Sequence, residues 1–434
     1  MFKYAIEEEW TTIEKLDISQ AFFSNIQKNG YKLIERNSSR NDLFKFTYVG
    51  VLTFKEEILI VLPKYYDEKY YYNGLECIKN IIGVLKKIPR RIVEKYKDSL
   101  FISKDIDSKY VPEISIADYL IKDFVKNGNY IKETEELKLN SNGRIDWKRT
   151  ISDTNPILSN RYPIYLDKYT IKKKDSINND IYRVHEVVVN YLIKKYGELL
   201  GYKIRSSYNR KMQNELEKYI KNSKAVISII IDELENVYND RDINLLRSLK
   251  SFFSKSNKSS KDGISMYGTN SFNLVWEYMC SYVLENEYED FKECIPTPMW
   301  KANETENEVT NSRNTLEPDV IKTYNRHLLL VDAKYYSIIL NNKKVVGNPG
   351  SYDVVKQYIY EIAINRKYTN YIVKNIFIYP KDMNDNLNVF GEVRLDIFDL
   401  KPIKNIYISP RYLINLVLKN ERLPQAEIEF LINS

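Results

Sequence analysis

Histidine is almost absent: His185 and His327 are the only two in 434 residues. Imidazole-rich zinc sites, H-E-x-x-H hydrolases and His–Asp phosphohydrolase centres cannot be built from two histidines so far apart. Cysteine is nearly as rare. Cys77, Cys280 and Cys294 form no C-x-x-C pair, so neither a disulfide framework nor a thiolate zinc site is expected. Long apolar runs are missing too. Stretches such as Ile229–Ile231 and Ile58–Leu62 fall far short of the roughly 18–20 residues a membrane-spanning helix needs. The opening Met1-Phe2-Lys3-Tyr4, soon followed by Glu7-Glu8-Glu9, lacks the basic-then-apolar order of a signal peptide, and a cytoplasmic protein without membrane contact is expected. No glycine is followed by Lys-Ser or Lys-Thr, which removes the phosphate-cradling loop of nucleotide-hydrolysing motors. Residues 226–233, VISIIIDE, imitate the acidic strand of such a motor but read as an ordinary helix segment. Any enzymatic chemistry therefore falls to carboxylates and lysine.

What is present is ordinary for a folded protein: 43% hydrophobic and 29% charged residues. The length exceeds what one hydrophobic core spans, so two or three domains are expected. Lys plus Arg number 66 against 59 Asp plus Glu, a net +7. That balance suits an acidic partner such as nucleic acid. It is a weak signal, because the abundance of Lys, Asn, Ile and Tyr (37 tyrosines) also fits an AT-rich coding sequence.

Along the chain, residues 44–66 read as a β-hairpin turning at Lys55-Glu56-Glu57, ended by Pro63. Residues Leu75 to Tyr96 carry helical spacing. Residues 137–170 read as irregular strands with a turn at Asn142-Gly143, and 179–196 as an amphipathic helix whose His185 is a packed core residue. Segment 254–263, SKSNKSSKDG, has linker composition and marks the main boundary, dividing the chain into 1–255 and 256–434, with a further split near 130. Beyond it come a helix near 271–285, strands near 316–324 and 327–336, a helix near 352–366 and a strand at 373–379. That order predicts an α/β (α+β) core with a mixed central sheet.

The chemistry concentrates in residues 317–336, EPDVIKTYNRHLLLVDAKYY. Leu328 to Val331 form a buried-strand run that ends in Asp332-Ala333-Lys334. Side chains alternate along a strand, so Asp332 and Lys334 share a face while Ala333 points away. A carboxylate and an ammonium at the end of a greasy strand cost desolvation unless partnered. If the strands turn around Tyr324–Arg326, Asp319 approaches Asp332 from the neighbouring strand. Two such carboxylates suit magnesium, a hard cation that keeps several waters, and Lys334 beside them suits charge on a phosphoryl oxygen. A surface hairpin with an Asp–Lys ion pair is the alternative reading of the same string.

Pro318-Asp319 followed by Asp332-Ala333-Lys334 resembles the P-D…(D/E)-x-K pattern of a nuclease superfamily. Glu277, in an upstream apolar helix, matches the superfamily's metal-orienting glutamate, or else is a solvated helix charge. Gln357, with Tyr360 three residues on, resembles the Q-x-x-x-Y element that braces such sites; the spacing here is Q-x-x-Y. More specifically, segments 48–66, GRIDWKRTI (143–151), YGTNSFNLVWE (267–277), 317–336 and 353–361 resemble the LlaJI family of restriction endonucleases, related to McrC. The resemblance implies a magnesium-dependent bacterial nuclease that cuts double-stranded DNA. Its metal ligands would be Asp319, Asp332 and Glu277, with Lys334 and Gln357 completing the site in a PD-(D/E)xK domain at 256–434. It also implies a separate McrB-like AAA+ NTPase subunit, contacted by the N-terminal part. A non-catalytic assembly protein on a degenerate nuclease fold and a repair or transposition nuclease are the competing readings. Trp147, between Arg144 and Arg149, is read as a structural aromatic beside solvated arginines rather than a base-stacking or phosphate-contacting group, and Lys172-Lys173-Lys174 as a solvated loop face rather than a DNA-backbone contact.

Overall fold

A computed structural model describes residues 2–28, 32–40, 42–70, 74–89, 92, 111–159, 162–176, 180–258, 264–295, 299–301, 308–310, 317–341 and 344–434. The chain forms two compact units: Met1–Ile102 together with Gly263–Ser434, and Ser103–Asp262. This grouping differs from a single cut near 255, because residues 1–102 pack with the C-terminal part. Within segment 254–263, residues up to Lys258 continue a helix, Asp240–Lys258, and 259–263 lie outside the described residues.

In the first unit, β1 (Lys3–Ile6) pairs in parallel with one arm of a hairpin, β2 (Val49–Phe54) and β3 (Glu57–Leu62). The expected hairpin forms between Val49 and Leu62, with Lys55 taking a left-handed φ of 53° at the turn. Phe44–Phe46 pairs instead with Ile34–Arg36. Helix α1 (Gly74–Lys87) follows; of the expected extension to Tyr96, residues 90–91 and 93–110 lie outside the described residues. Strand β4 (Ser265–Thr269) then pairs with β2 from far along the chain. Facing glycines allow this approach. A Cβ on Gly50, whose φ is +146°, would lie 2.4 Å from the Tyr267 carbonyl oxygen, and one on Gly268 2.2 Å from that of Val49. A core of Phe22, Phe44, Phe46, Tyr48, Leu52 and Leu59 fills one side of this sheet.

Helix α2 (Phe272–Val283) leads from β4 toward a five-stranded mixed sheet. Its members are β5 (Val320–Tyr324), β6 (His327–Ala333), β7 (Ile372–Pro380), β8 (Leu387–Val393) and β9 (Ile403–Ile408), in the order β5-β6-β7-β9-β8. Strands β5 and β6 are antiparallel through the turn at Asn325-Arg326, whereas β6, β7 and β9 run parallel. A parallel neighbour requires a crossover, and helix α3 (Ser351–Lys367) lies between β6 and β7 in sequence and packs on both. Strand β6 is apolar on both faces because it is covered on both, which is why its residues from Leu328 to Val331 are fully buried. The mixed α/β class expected from the sequence is the one observed.

The second unit combines helices with small sheets. Asp180–Tyr196 is the amphipathic helix expected there, and its His185 is fully buried, accepting the Tyr130 N–H at Nδ1, 3.0 Å away. Residues 226–233 are helical, inside Ser223–Leu234. Region 137–170 departs from the all-strand expectation: Trp147–Asp153 is a helix capped by Asp146, whose side chain accepts the Arg149 N–H. Trp147 is 52% exposed, so its reading as a packed structural aromatic is corrected. In the first turn of a short surface helix, the indole meets the Tyr165 ring edge-on. Lys172, Lys173 and Lys174 lie on the strand Tyr169–Ser176 rather than in a loop. Among the described residues, no helix is long and apolar enough to cross a membrane.

Candidate active site

The candidate site sits where β5 begins and β6 ends, all within the first unit. Register sets it. Val320 pairs with Val331, so Asp319, one residue earlier, reaches the level of Asp332 and Ala333. The Ala333 N–H donates to Asp319 Oδ2 at 2.8 Å. Asn286, just past α2, fixes the same strand start: its amide donates to the Asp319 carbonyl and accepts the Ile321 N–H, both at 2.9 Å. By strand alternation Asp332 and Lys334 continue the face of Leu328 and Leu330, the face against which Tyr360 and Ile364 of α3 pack.

Asp332 is only 5% exposed and pairs with Lys334, Nζ to Oδ2 2.8 Å. The ammonium makes a second contact of 2.8 Å with Asp353 Oδ1. Asp353 also accepts the Gly350 N–H at 3.2 Å, capping α3. One carboxylate thus anchors both the helix start and the lysine, placing α3 against the end of β6. The Lys334 ammonium is held above the usual lysine range: burial works against the charge, but Asp332 and Asp353 outweigh it.

Asp319 is pushed well above the usual carboxylate range, first by burial and then by the Asp332 charge beside it. Glu277 of α2 is raised as well, by burial and by Asp332, while its hydrogen bond from Asn273 at 3.5 Å pulls the other way. Glu277 thus feels the Asp pair but makes its own contact with Asn273. Among the described residues, no three His, Cys, Asp or Glu side chains meet closely enough to cage a metal. The structure brings Asp319, Asp332 and Lys334 together, and Glu277 on α2 interacts electrostatically with both aspartates.

Gln357 is fully buried on α3 and donates to the Leu330 carbonyl at 3.2 Å. It joins α3 to β6 two residues before Asp332. Tyr360 is also buried, and burial together with Asp332 and Asp319 raises its hydroxyl above the usual range. Two groups escaped the sequence reading. One is Asp353, which caps α3 and pairs with Lys334. The other is Glu7 with Tyr335: the hydroxyl of Tyr335, the residue after Lys334, donates to Glu7 Oε2 at 2.5 Å. Glu7 is pushed up to about 7, chiefly by burial. Both depend on partners distant in sequence, and no local pattern announces them.

The model of the family described as LlaJI restriction endonuclease matches residues 48–411. The Type II restriction enzyme BsuMI component YdjA of Bacillus subtilis (strain 168) is 32% identical over 392 residues, covering 88% of this chain and 82% of that protein. Among solved structures, a chain from a tetradecameric assembly of Thermococcus gammatolerans McrB AAA+ hexamers with bound McrC aligns over 100% of this chain and 99% of its own, with 14% identity and a TM-score of 0.44. A chain of the Thermococcus gammatolerans McrBC complex aligns over 64% of this chain and 85% of its own, with 14% identity and a TM-score of 0.28.

Proposed function

The chain belongs to the LlaJI restriction endonuclease family, and from that premise we propose that Asp319, Asp332 and Lys334 hydrolyse DNA phosphodiesters with a divalent ion, magnesium by donor chemistry. The observation that carries this reading is the buried Asp332–Lys334 pair with Asp319 hydrogen-bonded across the strand end. It requires no histidine, as the composition demands.

The donor set fits such an ion. Asp319 and Asp332 offer hard oxygens on adjacent strands, and Asp319 and Glu277 are held above the usual carboxylate range by burial first and by the Asp332 charge after it. Two protein carboxylates suffice for magnesium, which keeps much of its water. When bound, the ion supplies charge that polarises a phosphoryl oxygen and makes water more acidic. The Ala333 N–H orients Asp319. Lys334 has three donors, two of them held by Asp332 and Asp353, leaving one to position an attacking water or steady a phosphoryl oxygen. Glu277 assists from α2, and Gln357 braces β6 through the Leu330 carbonyl.

We further infer that the chain serves a bacterial restriction system, defending against phage, and works with a separate McrB-like AAA+ NTPase. The family resemblance and the missing phosphate-binding loop support that division of labour. The test is a nicking and cleavage assay on double-stranded DNA with magnesium, repeated with chelator and with the partner added. Magnesium-dependent cleavage that vanishes in Lys334→Ala is expected. Undiminished cleavage by that variant overturns the assignment, and cleavage by neither protein under any of these conditions favours the non-catalytic assembly reading.

A further inference from the structure

We propose that Lys356 is a second phosphate-contacting cation of this site, receiving a DNA backbone phosphate beside the one over Asp319 and Asp332. The inference rests on the hydrolytic reading above and extends it to a residue that no sequence motif marked.

The placement follows from helix geometry. Asp353, Lys356 and Tyr360 stand three and four residues apart and share one face of α3. Both flanking members are tied to the acids: Asp353 by its ion pair with Lys334, and Tyr360 by packing on the Leu328–Leu330 face of β6. Lys356 lies between them, its ammonium over the Tyr360 ring with Nζ 5.5 Å from the centroid. From across the site, the Glu277 carboxyl of α2 feels both Lys334 and Lys356. Lys356 is partly exposed, and among the described residues it is in no ion pair.

Charge balance gives this free ammonium a task. Lys334 has most of its donor capacity committed to Asp332 and Asp353. Counted formally, four acidic side chains (Glu277, Asp319, Asp332 and Asp353) and two lysines (Lys334 and Lys356) stand in this region, so a divalent ion would bring the formal sum to zero. Without Lys356 that formal sum would be negative, and an incoming phosphodiester would meet net repulsion. A flexible lysine stem with a compact charge suits a backbone phosphate, which needs charge more than a fixed fork.

The test compares wild type, Lys356→Ala, Lys356→Met and Lys356→Arg in the full chain. Equilibrium binding to a linear double-stranded DNA is measured in calcium across a salt series, with magnesium cleavage by the same preparations in the restriction assembly. One lost phosphate contact lowers the slope of log affinity against log salt by about 0.9, so Lys356→Ala and Lys356→Met are expected to lose about one unit of slope and bind several-fold more weakly. Arginine is expected to restore both. The cleavage defect is expected in KM, in contrast to the kcat defect of Lys334→Ala, and melting temperatures are expected to stay at wild type. If wild type cleaves and the Lys356 variants match its salt slope, Lys356 is removed while the active site stands. If the variants melt lower and arginine restores nothing, the residue is structural and the proposal fails. If wild type cleaves no DNA, both readings fall together.

Discussion

Two groups of buried acids lie in the same folded unit and meet different partners. At the end of β6, the Asp332 carboxyl lies 2.8 Å from the Lys334 ammonium, itself steadied by Asp353. One residue beyond Lys334 the strand turns Tyr335 to the other side, where Glu7 takes a hydroxyl hydrogen bond and holds its proton up to about 7. Lys64 pulls that acid down a little, but its ammonium rests on the Tyr335 ring, 4.4 Å from the centroid, and pairs with Glu8. On the proposed reading, a carboxylate beside a lysine serves a metal and a phosphate. Glu7, raised by burial against the pull of the Tyr335 hydrogen bond, ties the segment after β1 to the segment after β6. Burial is common to both, and the placement of one lysine separates them.

Removing that lysine breaks the comparison most sharply. Lys334→Ala is expected to lower kcat by about 100-fold or more, the scale of losing a preorganised charge-stabilising donor, with DNA and partner binding largely kept. Single-turnover cleavage checks it. Asp319→Asn is expected to abolish the magnesium-induced rise in melting temperature along with cleavage, because the amide is a poorer ligand. In the wild type, apparent magnesium affinity is expected to rise with pH, since Asp319 and Glu277 hold their protons above the usual range and must release them to take a cation. Magnesium titrations followed by melting at several pH values read both effects.

The Glu7 cluster gives a prediction of the opposite kind. Folding raises Glu7 from 4.5 to about 7, so its proton is held more tightly in the folded than in the unfolded chain. Its favourable contribution is complete below the unfolded value and is lost as pH rises through about 7, a change on the order of 3 kcal/mol. Asp382, also pushed up to about 7 by burial, acts in the same direction. Glu7→Gln is therefore expected to flatten the alkaline fall in stability of the metal-free protein while leaving cleavage within a few-fold of wild type. Denaturation across pH measures it, and an unchanged profile assigns the fall to other groups. The smallest effect is expected at Gln357. Gln357→Leu removes a buried hydrogen bond to Leu330 while filling similar space, at a cost of roughly 1 kcal/mol, read from urea unfolding.

The Asp332–Lys334 site was more legible than the Glu7 cluster, for a physical reason. A run of four buried apolar residues ending in Asp-Ala-Lys violates the expected burial pattern locally, so Asp332 and Lys334 stand out in the sequence. The hairpin turn at Asn325-Arg326 then fixes the partner strand and brings in Asp319. Glu7 announces nothing, because its partner lies 328 residues away. Asp353 was hidden by its second role as a helix cap. The grouping of 1–102 with the C-terminal half was equally hidden, since it depends on β4 joining β2 across a whole intervening unit. Helix Trp147–Asp153 was missed because glycine and asparagine before it read as turn residues, and the Asp146 cap was overlooked.

Divalent-ion binding by calorimetry, on wild type and on Asp319→Asn, tests the central claim most directly when paired with cleavage of the same DNA. The account predicts magnesium or manganese binding by wild type and the joint loss of binding and cleavage in the variant. Ion binding and cleavage that survive the Asp319→Asn change would contradict it.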